Sequence, residues 1–422
     1  MAGTNQLMKK LLIHTIAFSP DGVSTAYIYN EIAIKFIEAG YSVIVLTTTP
    51  HFNPVIEHLN KQLLTRKFGG LFYTSRYHDI NVIHVPQKKF KSTILRVIGF
   101  VYWHVVSFFL AIKVGKVDLI LSPSPPLTIG LINIAIGKLY HAKVIYNVQE
   151  IYPDLLIEGQ NLKNQWLIKI LKRLEEYVYD KSHAITTIDQ VFYDTIIKRF
   201  MDESKLNIIP NFVNTDVYKP LVVVPTNLDR KYFPNNNNLK VMFAGNIGFA
   251  QDWELLIAVA SKLDGQEISF YVIGDGVQKD YLIAEINKND IKNIHLIPYQ
   301  DRSLMPSIIA YSDLQFILMS PKTDGHGFPS KIYTIMACGK PMIVSSGANT
   351  PIVKFLEDHD CSFIIKQDNY DGKVTEIVSI LGDIDKKLLF NYGKNAQSVI
   401  LAKYSNQVVP QQYVQLANSL FK

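Results

Sequence analysis

The stretch from Thr323 to Pro341 (TDGHGFPSKIYTIMACGKP) concentrates residue types that can do chemistry. Gly325, Gly327 and Pro329 punctuate a loop. Ser330 to Ala337 then read as one or two helical turns, and Cys338-Gly339-Lys340-Pro341 stops them. A glycine loop opening a helix leaves backbone N–H groups unpaired, and the aligned peptide dipoles add partial positive charge. Such a place receives a phosphate, and the Ser330 hydroxyl and Lys331 ammonium stand where they could add to it. The same residues suit a tight turn into a capped helix that binds nothing.

These groups need elements to position them. Lys10 to Phe18 reads as a buried strand, Ser19 to Thr25 as a loop, Ala26 to Glu38 as a helix, and Tyr41 to Thr48 as a second strand. That is the βαβ unit of a doubly wound sheet. The loop lacks a full G-x-G-x-x-G, so no dinucleotide fingerprint is supported. Gly22 could let the backbone approach a ligand there, although an ordinary turn residue reads the same way. Residues 50–80 read as a loop with scattered aromatics and bases. Val97 to Ile112 is an uncharged run bounded by Arg96 and Lys113. It is too short for a transmembrane helix, which needs roughly 20 apolar residues. It reads first as a buried core helix, and second as a face that touches a membrane. The βα rhythm continues to Pro210, giving six or seven strands.

Residues 214–238 read as a boundary, broken by Pro220, Pro225 and Pro234 and tipped by four asparagines. The rhythm then restarts at Leu239 to Ala244. The strand-end loops of this second half are Gly245-Asn246-Ile247-Gly248, Gly274-Asp275-Gly276, Pro298-Tyr299-Gln300 and the stretch described first. Tyr404 to Phe421 reads as one apolar-faced helix. The expected fold is α/β: two doubly wound, Rossmann-like domains facing across a cleft. The domains run over 8–213 and 239–403, with residues 404–422 returning toward the first.

Composition bounds the remainder. The 422 residues are 48% apolar and 19% charged, which suits large packed cores and argues against disorder. Cys338 and Cys361 have no metal-site spacing and suggest free thiols in a reducing compartment. Asp383-Ile384-Asp385 reads as a solvated helix start, and no metal is expected. Residues 1–7 read as a loose leader without a signal-peptide cleavage site. Residues 1–220 carry 24 Lys+Arg against 17 Asp+Glu, whereas the rest carries 19 against 20. The basic half fits anionic lipid or an anionic substrate. Nucleic acid is not expected, because the charges are scattered.

Four segments carry a family resemblance: AGNIGFAQDWELL (Ala244 to Leu256), VIGDG (Val272 to Gly276), Tyr311-Ser312-Asp313, and GFPSKIYTIMACGKP (Gly327 to Pro341). Together they resemble the donor half of family 4 glycosyltransferases, whose architecture is GT-B. The PDGVST loop and the NVQEIYPD segment are similar to the branch of bacterial surface-polysaccharide transferases that add fucosamine-type sugars. The resemblance covers most of residues 8–420 and is more specific in the C-terminal half. It implies a nucleotide-sugar donor, usually a UDP-sugar, transfer with retention at the anomeric carbon, and no required cofactor. Gly245, Asn246 and Gly248 would line the donor pocket. Gly274, Asp275, Gly276, Pro298 and Tyr299 would flank the nucleoside, and Ser330 and Lys331 would hold the diphosphate. His326, Gly327, Phe328 and Pro329 lead into that site. His326 and Thr334 stand where many members carry two glutamates. Gln149-Glu150 stands where a strand-end histidine is common, which leaves Glu150 and Asp154 as candidates for general acid or base work; each suits a helix cap or a surface turn equally well.

Three functions follow as expectations. The first is a cytoplasmic transferase, peripheral at an anionic inner membrane, extending a polyprenyl-diphosphate-linked glycan such as O-antigen or capsule. The second is a nucleotide-sugar epimerase of the same architecture. The third is a non-catalytic sugar-nucleotide-binding protein.

Overall fold

In this computed structural model, which describes residues 8–89, 92–158, 163–221, 227–321 and 328–422, the chain forms two α/β units. Unit 1 runs to Asn211 and takes in Gln407–Lys422; unit 2 is Phe212–Asn406.

Unit 1 opens with β1 (Lys10–His14), α1 (Ser24–Glu38) and β2 (Ser42–Thr48). Residues 50–80, expected as loop, instead hold α2 (Ile56–Lys61), β3 (Thr65–Lys67) and β4 (Phe72–Tyr77), ahead of β5 (Ile80–Val85). Gly69 and Gly70, at φ 66° and 100°, turn β3 back antiparallel to β4. Then come α3 (Thr93–Val114), β6 (Leu119–Ser124), α4 (Leu127–Tyr140), β7 (Lys143–Val148), α5 (Asp154–Glu158), α6 (Gln165–Lys181), β8 (Ala184–Thr187), α7 (Gln190–Phe200) and β9 (Leu206–Ile208). The sheet order is β3-β4-β5-β2-β1-β6-β7-β8-β9, nine strands where six or seven were expected. All neighbours except β3-β4 and β4-β5 are parallel. A parallel sheet covered by helices on both faces needs apolar strands, and Leu11, Leu12, Ile13, Leu119, Ile120 and Leu121 are all buried.

The segment expected first as a buried core helix is buried on one face only. Trp103, Ser107, Leu110 and Ala111 of α3 pack inward, while Ile94, Ile98, Val101, Val105 and Phe109 are exposed. An apolar sequence on all sides gives no period to read, so the difference could come only from the packing.

Unit 2 comprises β10 (Leu239–Ala244), α8 (Trp253–Lys262), β11 (Ile268–Ile273), α9 (Lys279–Lys288), β12 (Ile294–Ile297), α10 (Met305–Tyr311), β13 (Leu314–Leu318), α11 (Lys331–Ala337), β14 (Met342–Ser345), α12 (Pro351–Glu357), β15 (Ser362–Ile364), α13 (Tyr370–Gly382) and α14 (Lys386–Lys403). Its six strands are all parallel, in the order β12-β11-β10-β13-β14-β15. Part of the expected boundary belongs to this unit's core. Phe233 is 1% exposed and meets Tyr311 edge-on, and the Tyr311 hydroxyl donates to Pro234 O at 2.7 Å.

The C-terminal helix expected over Tyr404 to Phe421 is present but shorter. The chain leaves α14 at Lys403, and α15 (Val409–Ser419) starts afresh with Pro410 in its first turn, where a missing N–H costs nothing. Within unit 1, α15 packs on α1, and Asn147 Nδ2 donates to the Tyr413 hydroxyl at 2.9 Å.

Candidate functional site

In unit 2 the sheet order reverses beside β10: β11 and β12 lie on one side, and β13, β14 and β15 on the other. Ligands of open α/β sheets bind outside the carboxyl ends of the strands at such a switch point. The register pairs Ala244 with Ile273 and Ile273 with Ile297, so Gly245, Gly274 and Pro298 leave three neighbouring strands side by side. These loops are backbone packed on backbone. Gly274 sits at φ 141°, and a Cβ there would lie 2.0 Å from Gly245 O. A Cβ on Gly276 would lie 2.3 Å from Ile247 O and 2.6 Å from Asn246 Oδ1. Ile247 N donates to Asp275 O at 2.9 Å, which ties the two glycine loops together. Trp253 Nε1 donates to Gly248 O at 2.9 Å, and Asp252 caps α8 by accepting from Leu255 N. Asn246, Asp275, Pro298 and Tyr299 are exposed at the rim.

Lys331 comes to this place from α11. Its Nζ lies 3.6 Å from the centre of the Phe243 ring, on β10, and 2.7 Å from where a Gly245 Cβ would be. Gly245 is therefore a glycine that makes room for a lysine. Among the described residues no carboxylate pairs with this ammonium, and burial lowers its pKa to about 7. Ser330 is exposed and makes no capping bond, which leaves its hydroxyl uncommitted to the helix. Phe328 packs on Tyr333 and Phe355, and Ile332 N donates to Pro329 O. Thr334 follows on α11, half-buried. His326 and Gly327 lie outside the described residues.

Unit 1 has its own switch point, at β1 and β6. Gly22 follows β1, and its tight packing is against the chain's own loop: a Cβ would lie 2.6 Å from Val55 Cγ2 and 3.0 Å from Asn53 O. Asp21 fixes that loop by accepting N–H bonds from His51, Phe52 and Asn53 at 2.7–3.0 Å. Asn147, at the end of β7, links four partners: Tyr29, Thr186, Gln149 and Tyr413. Glu150 comes next. Burial raises its pKa, and no cation pairs with it among the described residues. Asp154 differs. Its carboxylate accepts from Arg199, which also donates to Glu175 at 3.1 Å, while Tyr179 donates to Glu175 at 2.9 Å. Burial raises Glu175 to about 7 against the opposing pull of Arg199. Asp154 is thus held in a buried ionic cluster joining α5, α6 and α7.

The family model described as Glycosyltransferase Family 4 matches residues 27–217, and that described as Glycosyl transferases group 1 matches residues 226–399. The chain is a glycosyltransferase with the GT-B fold. It is 21% identical over 359 residues to the putative colanic acid biosynthesis glycosyl transferase WcaI of Escherichia coli (strain K12), covering 82% of this chain and 86% of that protein. It is 21% identical over 256 residues to the probable glycosyltransferase WbjE of Pseudomonas aeruginosa, covering 57% of this chain and 60% of that one. Among solved structures, Anabaena Alr3699/HepE in complex with UDP superposes with a TM-score of 0.69 at 15% identity, over 98% of this chain and all of that one.

For a glycosyltransferase of this fold, unit 2 offers exposed backbone, two glycine loops and a cation, Lys331, that pairs with no carboxylate among the described residues, a set suited to an anion. Unit 1 offers Glu150, a carboxyl whose pKa burial raises. Sequence reasoning missed Phe243, Asp21 and Asn147. Phe243 and Asn147 read as ordinary strand residues, and only the cis-facing packing reveals them. Asp21 carried a signal, since an Asp ahead of Gly in a turn commonly accepts backbone N–H bonds.

Proposed function

We propose that this glycosyltransferase transfers a sugar from a UDP-sugar, with retention at the anomeric carbon. The acceptor is a glycan carried on a membrane lipid, at the cytoplasmic face, during assembly of a bacterial surface polysaccharide. The Lys331 ammonium beside the glycine loops at the unit 2 switch point, which pairs with no carboxylate among the described residues, carries this reading. As the glycosidic bond breaks, negative charge grows on the departing nucleoside diphosphate. A partly buried cation beside that growing charge favours the transition state over the ground state. The names of WcaI and WbjE and the UDP held by HepE support the donor class and the surface-glycan setting. This reading assigns proton exchange with the acceptor hydroxyl to Glu150, whose pKa burial raises. The countercharge comes from Lys331 and backbone N–H groups, so no metal is needed, and transfer is expected to be unaffected by EDTA.

The test is titration calorimetry of UDP and UDP-sugars with Lys331→Ala. Removing one donor to a developing oxyanion costs on the order of 100- to 1,000-fold in kcat, and UDP affinity should fall in parallel. Unchanged affinity and turnover would remove Lys331 from the mechanism. Nuclear magnetic resonance of the first-formed product reads the anomeric configuration, and an inverted product would reject retention.

A further inference from the structure

Among the described residues the outer face of α3 is left uncovered. Ile94, Ile98, Val101, Val105 and Phe109 recur every three or four residues, so they form one stripe along the helix. Ile94 is 72% exposed and Phe109 63%. The turn of the β3–β4 hairpin lies beside this stripe: the Tyr102 hydroxyl donates to Leu71 O at 3.4 Å, and Lys113 Nζ sits 4.0 Å from the Phe68 ring centre. Phe68 and Leu71 are themselves exposed, so the apolar surface continues from the helix onto the hairpin. Patches of that kind mark interaction sites rather than ordinary surface.

Charge identifies the partner. Residues 58–117, which carry both elements, hold ten Lys or Arg and a single acid, Asp79, for a net of +9. The whole chain has a net of +6, so all the remaining residues together carry −3. Arg66, Lys67, Lys88, Lys89, Lys113 and Lys116 are exposed around the apolar surface. An apolar stripe rimmed by bases, with acids excluded, is complementary to a bilayer of anionic headgroups over acyl chains.

We propose that the outer face of α3, with the β3–β4 turn beside it, is the surface by which this protein lies on an anionic phospholipid bilayer. The helix lies in the plane of the interface and does not cross it. By length and composition Ile94–Val114 could span a membrane. Yet Trp103 is 1% exposed, and its ring lies 5.5 Å from that of His14 at the end of β1. Withdrawing α3 into a bilayer would strip Trp103, Leu110 and Ala111 from the core they share with Leu12, Ile120 and Val144. The uncharged run between Arg96 and Lys113 also extends only about 24 Å as a helix, short of a hydrocarbon core of about 30 Å. A second copy fits poorly, because a two-fold interface would press this cationic face against itself. The proposal extends the lipid-acceptor reading above, and its test contains neither nucleotide nor acceptor, so the two stand or fall separately.

The experiment is flotation of the full chain with phosphatidylcholine vesicles, with and without phosphatidylglycerol. The protein should float with the anionic vesicles at low salt and be released by high salt. The double variants Lys67→Glu/Lys88→Glu and Ile98→Asp/Val101→Asp should each lower partitioning by at least about tenfold, with unchanged melting curves because all four residues are exposed. Cys338 and Cys361 are buried, so Val101→Cys can be labelled selectively with an environment-sensitive fluorophore. Its emission should shift to the blue on adding anionic vesicles. Absence of flotation and of that shift overturns the proposal. Release only by detergent overturns it in favour of a spanning helix, and a stable dimer broken by Ile98→Asp/Val101→Asp overturns it in favour of a second copy.

Discussion

The two switch points are built on opposite plans. In unit 2 the strand ends carry glycines, and Lys331 rests on an aromatic face with no anion beside it among the described residues. In unit 1 the strand ends carry a hydrogen-bonded network, although His14 Nε2 and Thr187 Oγ1 are buried without a partner among the described residues. Asp21 takes three backbone N–H groups, Asn147 has four partners, and Asp154 is joined to Arg199. A cation without a partner stores electrostatic free energy that an arriving phosphate can release. A satisfied network stores none and serves to hold a shape. Glu150 differs, a carboxyl raised by burial with no cation beside it among the described residues. The proposed function takes these uncommitted charges, Lys331 and Glu150, as its working groups.

The sharpest break in this comparison comes from the glycines. Gly274→Ala places a methyl 2.0 Å from a backbone oxygen at a positive φ, and no side chain can move to relieve it. The expected loss of stability is about 3 kcal/mol or more. Gly22→Ala meets the end of a valine side chain, which can turn, and should cost about 1 kcal/mol. Urea denaturation of the two variants reads both. Equal losses would mean that the two loops are equally rigid, contrary to their different packing.

The two carboxylates of unit 1 provide the next test. Glu150→Gln keeps the shape and removes the proton exchange, so kcat should fall by about 100-fold while UDP binding to unit 2 is unchanged. Asp154→Asn breaks the pairing with Arg199 and leaves Glu175 to carry it, so the melting temperature should fall while kcat stays within a few-fold. If Asp154→Asn instead abolishes turnover in a protein that melts normally, the acid–base assignment passes to Asp154.

Much of this was legible in the chain. Parallel strands covered on both faces must be apolar runs, and that is why the βα rhythm and its restart at Leu239 could be read directly. Asp252 as a helix cap and the glycines at strand ends follow from local rules. Contacts distant in sequence could not be read: Lys331 rests on Phe243, Asp154 on Arg199, and Asn147 on Tyr413. The hairpin at 65–77 was obscured by its exposed bases. The exposed stripe of α3 was hidden because the inward and outward faces are equally apolar in composition.

The smallest expected effect concerns protons at Lys331. In the free protein this group titrates near about 7, because burial disfavours the ammonium. A bound diphosphate favours the ammonium and raises that value. Above about pH 7, binding must therefore take up a proton, and affinity for a UDP-sugar should fall by about tenfold per pH unit. Below about pH 7 both states are already protonated and the dependence flattens. A UDP-sugar suits this measurement, because each of its phosphates keeps one charge across the range. Calorimetry in buffers of different ionisation enthalpy should register uptake of close to one proton at pH 8, and Lys331→Met should abolish it. The unliganded protein shows the opposite sign. Between about pH 7 and the ordinary lysine range the unfolded chain binds more protons than the folded one, so stability from this group rises with pH. Proton uptake that persists in Lys331→Met would assign it to another group and leave the ammonium charged throughout.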